Sequence, residues 1–185
     1  MSLFHIPRPV AGDIVEVIID DHRMIETLLR ELRDASADRA TARETLADLL
    51  IAHGEAEEQV VYPTLRKKNA ISGDEAHHGY VEHAAGNEAL LALLEAKGTD
   101  TQKFDDAVEK LAEELNHHVG EEEQTILNGA RGDLSDKARA DLGRDWLARR
   151  SELLDEHPGS IENVRRIVEQ AAKQGLLEEA ESEGS

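Results

Sequence analysis

The sequence contains no cysteine, only four prolines, and so few aromatic side chains that they make up 3% of its 185 residues. Without thiols there is no disulfide, no thiolate zinc site and no iron–sulfur cluster. No run approaches the ~20 consecutive apolar residues of a membrane-spanning helix. Residues 1–9, which include Pro7 and Pro9, have no apolar leader core. A membrane partner is therefore not expected, and the cytoplasm is the expected location. Positive charge is scarce as well: 21 Lys and Arg stand against 40 Asp and Glu, a formal net charge of −19. Such a surface repels phosphate backbones and anionic headgroups, so no nucleic-acid partner is expected either.

What is abundant is Ala, Leu, Glu, Arg and Asp, with only short β-branched runs, and this composition predicts an all-α protein. Asp13 is a candidate N-cap for a first helix whose apolar stripe runs through Val15, Ile18, His22, Ile25, Leu29 and Leu32. A second helix is predicted over 41–67, with Leu46, Leu49, Leu50, His53, Glu57, Val60 and Val61 on its inner face and Pro63 loosening its last turn. A third, over 75–96 with Asp74 as a candidate cap, carries Tyr80, His83, Asn87 and Leu90 inward. Gly79 and Gly86 flank its histidine. A fourth carries Phe104, Val108, Leu111, Leu115, His118, Glu122 and Ile126. Short connections between successive helices predict an up-down-up-down four-helix bundle. Two additional C-terminal helices, about 134–154 and 161–174, follow as a layer on the bundle or a dimer contact. Gly175 is a natural stop, and residues 178–185 are expected to fray. The expected division is 1–132 for the bundle with its lead-in and 133–185 for the extension and acidic tail, in a monomer or dimer.

The bundle repeats internally. Residues 13–67 and 75–129 each place one histidine on a first helix and His-x-x-x-Glu on a second: His22 with His53 and Glu57, His83 with His118 and Glu122. Positions i and i+4 stack on one face of a helix. His117 and Glu121 have the same spacing but fall on the stripe of Lys110 and Glu114, a water-facing side. Burying two glutamates without a cation costs several kcal/mol per charge or forces protonation. Four inward imidazoles and two inward carboxylates therefore point to a metal site, with iron the best fit among redox metals. His5, His77, His78, His117 and His157 read as surface residues.

The ordered set Asp21-His22, His53-x-x-x-Glu57 with Tyr62-Pro63, Glu82-His83 and His117-His118-x-x-x-Glu122 resembles the hemerythrin-like, or HHE cation-binding, domain family over about residues 13–129. The resemblance implies a non-haem di-iron centre of two iron ions with a bridging oxygen species. Glu57 and Glu122 would be the bridges, and His22, His53, His83 and His118 the terminal ligands. It also implies a small-molecule ligand (dioxygen, hydrogen peroxide or nitric oxide), with disproportionation of peroxide as one activity. The alternatives are an oxygen or iron sensor or carrier without turnover, and a bundle stapled by zinc. Oxygen-carrying hemerythrins use five histidines, two as an i, i+4 pair on the third helix. Here Gly79 and Asn87 stand four residues either side of His83, which implies a site either more open to an exogenous ligand or completed by another protein group. Tyr80, one turn before His83, is the candidate catalytic group beside that opening, and Tyr62 reads as packing. The ferritin-like Glu-x-x-His pattern has another order and spacing.

Overall fold

A computed structural model describes residues 5–183, and among them there are helices and no strand. In chain order these are α1 (Ile14–Arg33), α2 (Arg39–Ala56), a π-helical turn (Glu57–Val61), α3 (Tyr62–Lys67), α4 (Gly73–Glu95), α5 (Gln102–Gln124), α6 (Ile126–Asp133), α7 (Asp136–Asp155), α8 (Ile161–Lys173) and α9 (Leu176–Glu183). The first four residues of the lead-in and the last two of the acidic tail lie outside the described residues. No described helix is long and apolar enough to cross a membrane.

The starts follow side-chain capping. Asp13 accepts from the Val15 N–H at 3.0 Å, as its position before the first apolar stripe predicts. At α4 the cap is Ser72 rather than Asp74: Ser72 and Glu75 exchange side-chain and backbone hydrogen bonds in a capping box. The predicted second helix is not continuous. Pro63 has no N–H to reach the Gln59 carbonyl, and the Tyr62 N–H instead reaches back five residues to Glu57. Pro63 thus acts on the turn that precedes it and opens a π turn at Glu57. The predicted fourth helix also breaks, at Thr125, and resumes as α6.

Helix α1 packs on α2 and α5, and α4 packs on α5 and α2. Two apolar clusters fill the interior. One holds Ile14, Ile18, Ala56, Leu65, Ile126, Trp146 and Leu154 among others, and the second holds Ile25, Leu46, Leu90, Phe104 and Leu115. On α1 and α5, His22, His118 and Glu122 fall between the residues of one cluster and those of the other, so a polar band crosses the core.

The C-terminal helices are a layer on this bundle. Helix α7 lies against α1 and α2, and α8 and α9 lie against α4. Gly143 lets α7 meet the chain entering α1, since a Cβ there would sit 2.1 Å from the Gly12 carbonyl oxygen. Residues 176–183 are helical rather than frayed: Gly175 (φ +78°) ends the preceding helix, and α9 is then tied to α4 by His77 and Glu179 at 2.6 Å.

Candidate metal centre

His22 on α1, His53 on α2, His83 on α4 and His118 on α5 all turn into the polar band, and so do Glu57, in the π turn, and Glu122. Glu57 is 0% and Glu122 1% exposed. Each glutamate faces histidines from both repeats. Glu57 Oε1 lies 3.1 Å from His53 Nε2, and its Oε2 lies 3.2 Å from His83 Nε2. Glu122 Oε2 lies 3.2 Å from His22 Nε2 and 3.6 Å from His118 Nε2.

The far side of every ring is held by a carboxylate. His22 Nδ1 meets Glu123 at 3.0 Å, His53 meets Asp21 at 3.1 Å, His83 meets Glu58 at 2.8 Å and His118 meets Glu82 at 3.0 Å. An ionised carboxylate only accepts, so Nδ1 carries the hydrogen and Nε2 presents its lone pair to the centre. The result is visible as missing bonds. His22 Nε2, His53 Nε2, His118 Nε2, both oxygens of Glu57 and Glu122 Oε2 are buried without a hydrogen-bond partner. Their mutual distances are short, and lone pair faces lone pair unless a proton or a metal ion stands between them. A neutral core would pay heavily for this, whereas a cation among these atoms satisfies all of them.

Two sets of donor atoms lie within 4.8 Å of one another, one from His22, His53, Glu57 and Glu122 and the other from Glu57, His83 and His118. Imidazole with carboxylate, and no thiolate, suits a borderline transition ion.

Without an ion the carboxylates draw protons onto the rings. Burial opposes a charged imidazole at His53, but Glu57 and then Asp21 outweigh it and bring its pKa up to about 10. At Glu57 burial favours the neutral acid, yet His53 and His83 hold it below the usual carboxylate range. Proton and metal therefore compete for the same Nε2 atoms. Metal uptake is expected to release protons and to weaken as pH falls, which metal titration in weakly buffered solution at two pH values would register.

Further contacts were not apparent from the sequence. Arg150 of α7 is 1% exposed and donates to both oxygens of Asp21 at 2.7 Å, so a cation from the C-terminal layer holds the carboxylate that holds His53. Trp146 stands edge-on to His53 with ring centres 5.5 Å apart. The tyrosine hydroxyl that reaches the cluster belongs to Tyr62, not Tyr80. Tyr62 is fully buried and its ring stacks on His83. Its hydroxyl lies 3.4 Å from His83 Nε2 and 3.3 Å from Glu122 Oε1, long for hydrogen bonds. Burial, then the charges of Glu122 and Glu57, raise its pKa, so the phenol keeps its proton. Tyr80 stands further out, half-buried and edge-on to Tyr62 at 5.5 Å.

Gly79 makes room for Tyr62: a Cβ there would lie 2.8 Å from the Tyr62 hydroxyl and its Cε2. Gly79→Ala should therefore destabilise the chain by about 1–3 kcal/mol in urea unfolding through overpacking. Gly120→Ala is the control: nothing lies within 4 Å of an added Cβ. It should be neutral or stabilising.

A cavity of about 240 Å³ opens beneath the rings of His22, His53, His83 and His118, with Leu50 and Leu115 among its apolar walls, and extends to Arg166 on α8.

Residues 13–129 match the family profile of the hemerythrin HHE cation binding domain. The chain belongs to the hemerythrin HHE cation-binding family. A relative of this hemerythrin-family chain is a protein of Nostoc sp. named DNA nickase, 28% identical over 144 residues, which are 76% of this chain and 40% of that protein. The chain thus spans about two-fifths of the relative's length. No solved structure matches it.

Proposed function

We propose that this hemerythrin-family chain holds a non-haem di-iron centre that binds or reacts with a small ligand: dioxygen, hydrogen peroxide or nitric oxide. The observation that supports it most is the set of imidazole Nε2 and carboxylate oxygen atoms buried together without hydrogen-bond partners. His22, His53, His83 and His118 would be terminal ligands, and Glu57 and Glu122, each set between histidines of the two repeats, would bridge. Bound there, two irons supply Lewis-acid polarisation and electron exchange with the ligand. The protein's own part is to fix the ring tautomers through four carboxylates, to keep a proton on Tyr62 at the cluster, and to line the approach with apolar side chains. Gly79 and Asn87 stand where a fifth imidazole would; the Tyr62 ring fills the space beside Gly79, whereas Asn87 lines the cavity under the histidines, so room for the ligand would lie on that side. Tyr80, near the same cavity, is the outer of the two tyrosines and would shape access.

In this proposal α1, α2, α4 and α5 alternate in direction as an up-down-up-down bundle within residues 1–132, and residues 133–185 form the supporting layer. The nickase name of the Nostoc relative runs against the expectation of no nucleic-acid partner. The net charge of −19 and the partial coverage of that longer protein support the expectation for this chain.

Metal analysis with an optical spectrum, before and after peroxide, tests the proposal. A coloured protein with about two irons per chain is expected; a colourless protein holding only zinc sinks it. Oxygen evolution on adding peroxide would assign turnover. A reversible spectral change with oxygen and no turnover would assign a carrier or sensor.

A further inference from the structure

Outside the inner cluster, a second group of ligating atoms gathers on the seam between α4 and α5. His78 and Glu82 are one turn apart on α4, and His117 faces them from α5. His78 Nε2 lies 3.4 Å and His117 Nε2 lies 3.5 Å from the same atom, Glu82 Oε1. The Glu82 side chain is 8% exposed, and Oε1 is buried without a hydrogen-bond partner. Its other oxygen is already engaged, accepting from His118 Nδ1 at 3.0 Å. A buried carboxylate oxygen aimed at two imidazoles, with its twin committed elsewhere, is a place that calls for a cation.

We propose that His78, Glu82 and His117 form a third cation site. It takes a divalent first-row transition ion and passes it to the inner centre. The donor atoms of the three residues lie within 4.8 Å of one another. Two imidazoles and one carboxylate suit zinc, iron(II) or cobalt(II). Three protein ligands leave coordination positions to water, as an exchanging site requires and a structural site does not. A separate cavity of about 240 Å³ is lined by Asp74 near the surface, by His78 and Glu82, and by Glu122 of the inner cluster. It places two of the three outer ligands on one cavity with Glu122, the direction in which transfer would run, and the overall charge of −19 concentrates cations outside it. The transfer role rests on the inner cluster being a metal centre; the outer site does not.

The test uses the full-length chain stripped of metal and titrated with Co²⁺ alone. Bound ions are counted by equilibrium dialysis, and filling is followed by visible absorption after rapid mixing. His117 and His78 are 63% and 38% exposed, so replacing either leaves the core untouched. His117→Ala and His78→Ala are each expected to bind one ion fewer than the parent chain, and to fill the inner centre several-fold more slowly. Equal ion counts at equal affinity in parent and variants would overturn the site. One ion fewer with inner filling at the parent rate would overturn the transfer role. A parent chain that binds a single Co²⁺, lost in His117→Ala, would uphold the outer site and overturn the inner-centre proposal.

Discussion

Glu57→Ala is expected to yield a chain that retains no metal at the inner cluster and unfolds more readily even when metal-free. Glu57 sits at the crossing of the two donor sets: its two oxygens face His53 and His83, which come from different repeats. Removing it takes a shared ligand from both candidate ion positions. Removing it also leaves His53 and His83 without the charge that favours their protonation. Breaking a buried ionic pair from one side costs about 3–5 kcal/mol, and the lower end is expected here because Asp21 still faces His53 and Glu58 still faces His83. Metal analysis and urea unfolding of the metal-free forms read the two effects separately. Parent-like metal content in Glu57→Ala would remove this residue from the centre.

Arg150→Ala is expected to damage the centre from the far side of α7, although Arg150 touches no candidate ligand. Its guanidinium makes paired 2.7 Å bonds to Asp21, and Asp21 accepts from His53 Nδ1 at 3.1 Å. Truncation leaves the Asp21 carboxylate, 6% exposed, buried with an imidazole and no guanidinium, a loss of about 3–5 kcal/mol. The orientation of His53 loosens at the same time, and losing such an outer partner typically weakens metal affinity 10–100-fold. Unfolding of the metal-free chain reports the first effect and competition with a chelator the second. Arg150→Lys should restore part of the stability without the two-point geometry. Unchanged metal affinity in Arg150→Ala would show that the C-terminal layer supports the fold alone.

Tyr62 shows where periodicity fails. On a regular helix, five residues turn about 140° from the starting face, so Tyr62 reads as pointing away from Glu57. The π turn opened by Pro63 closes an i to i+5 bond between these same two residues and brings both to the cluster. Tyr80, one turn from His83 by regular counting, was the natural candidate on spacing alone. Gly79 makes the same point: its lack of a side chain accommodates an aromatic ring from another helix, a relation that no local pattern encodes.

The orienting carboxylates were present in the sequence but silent. Asp21 and Glu82 each precede an inward histidine, and Glu58 and Glu123 each follow an inward glutamate. In the fold each serves a histidine of a different helix: Asp21 holds His53, Glu82 holds His118, Glu58 holds His83 and Glu123 holds His22. Their faces could be read from helical spacing; their partners could not, because partner choice depends on how the helices cross.

By itself the sequence determined the helical class, the internal repeat and the inward stripe of four histidines and two glutamates, since each follows from contacts between residues three and four apart. Only the tertiary structure decided which carboxylate steadies which ring, that Tyr62 rather than Tyr80 reaches the cluster, and that Arg150 of the last third of the chain supports His53. Those outcomes rest on contacts between residues 25 to 129 positions apart, or on a turn of non-standard pitch, and close packing alone brings them within a hydrogen bond's reach.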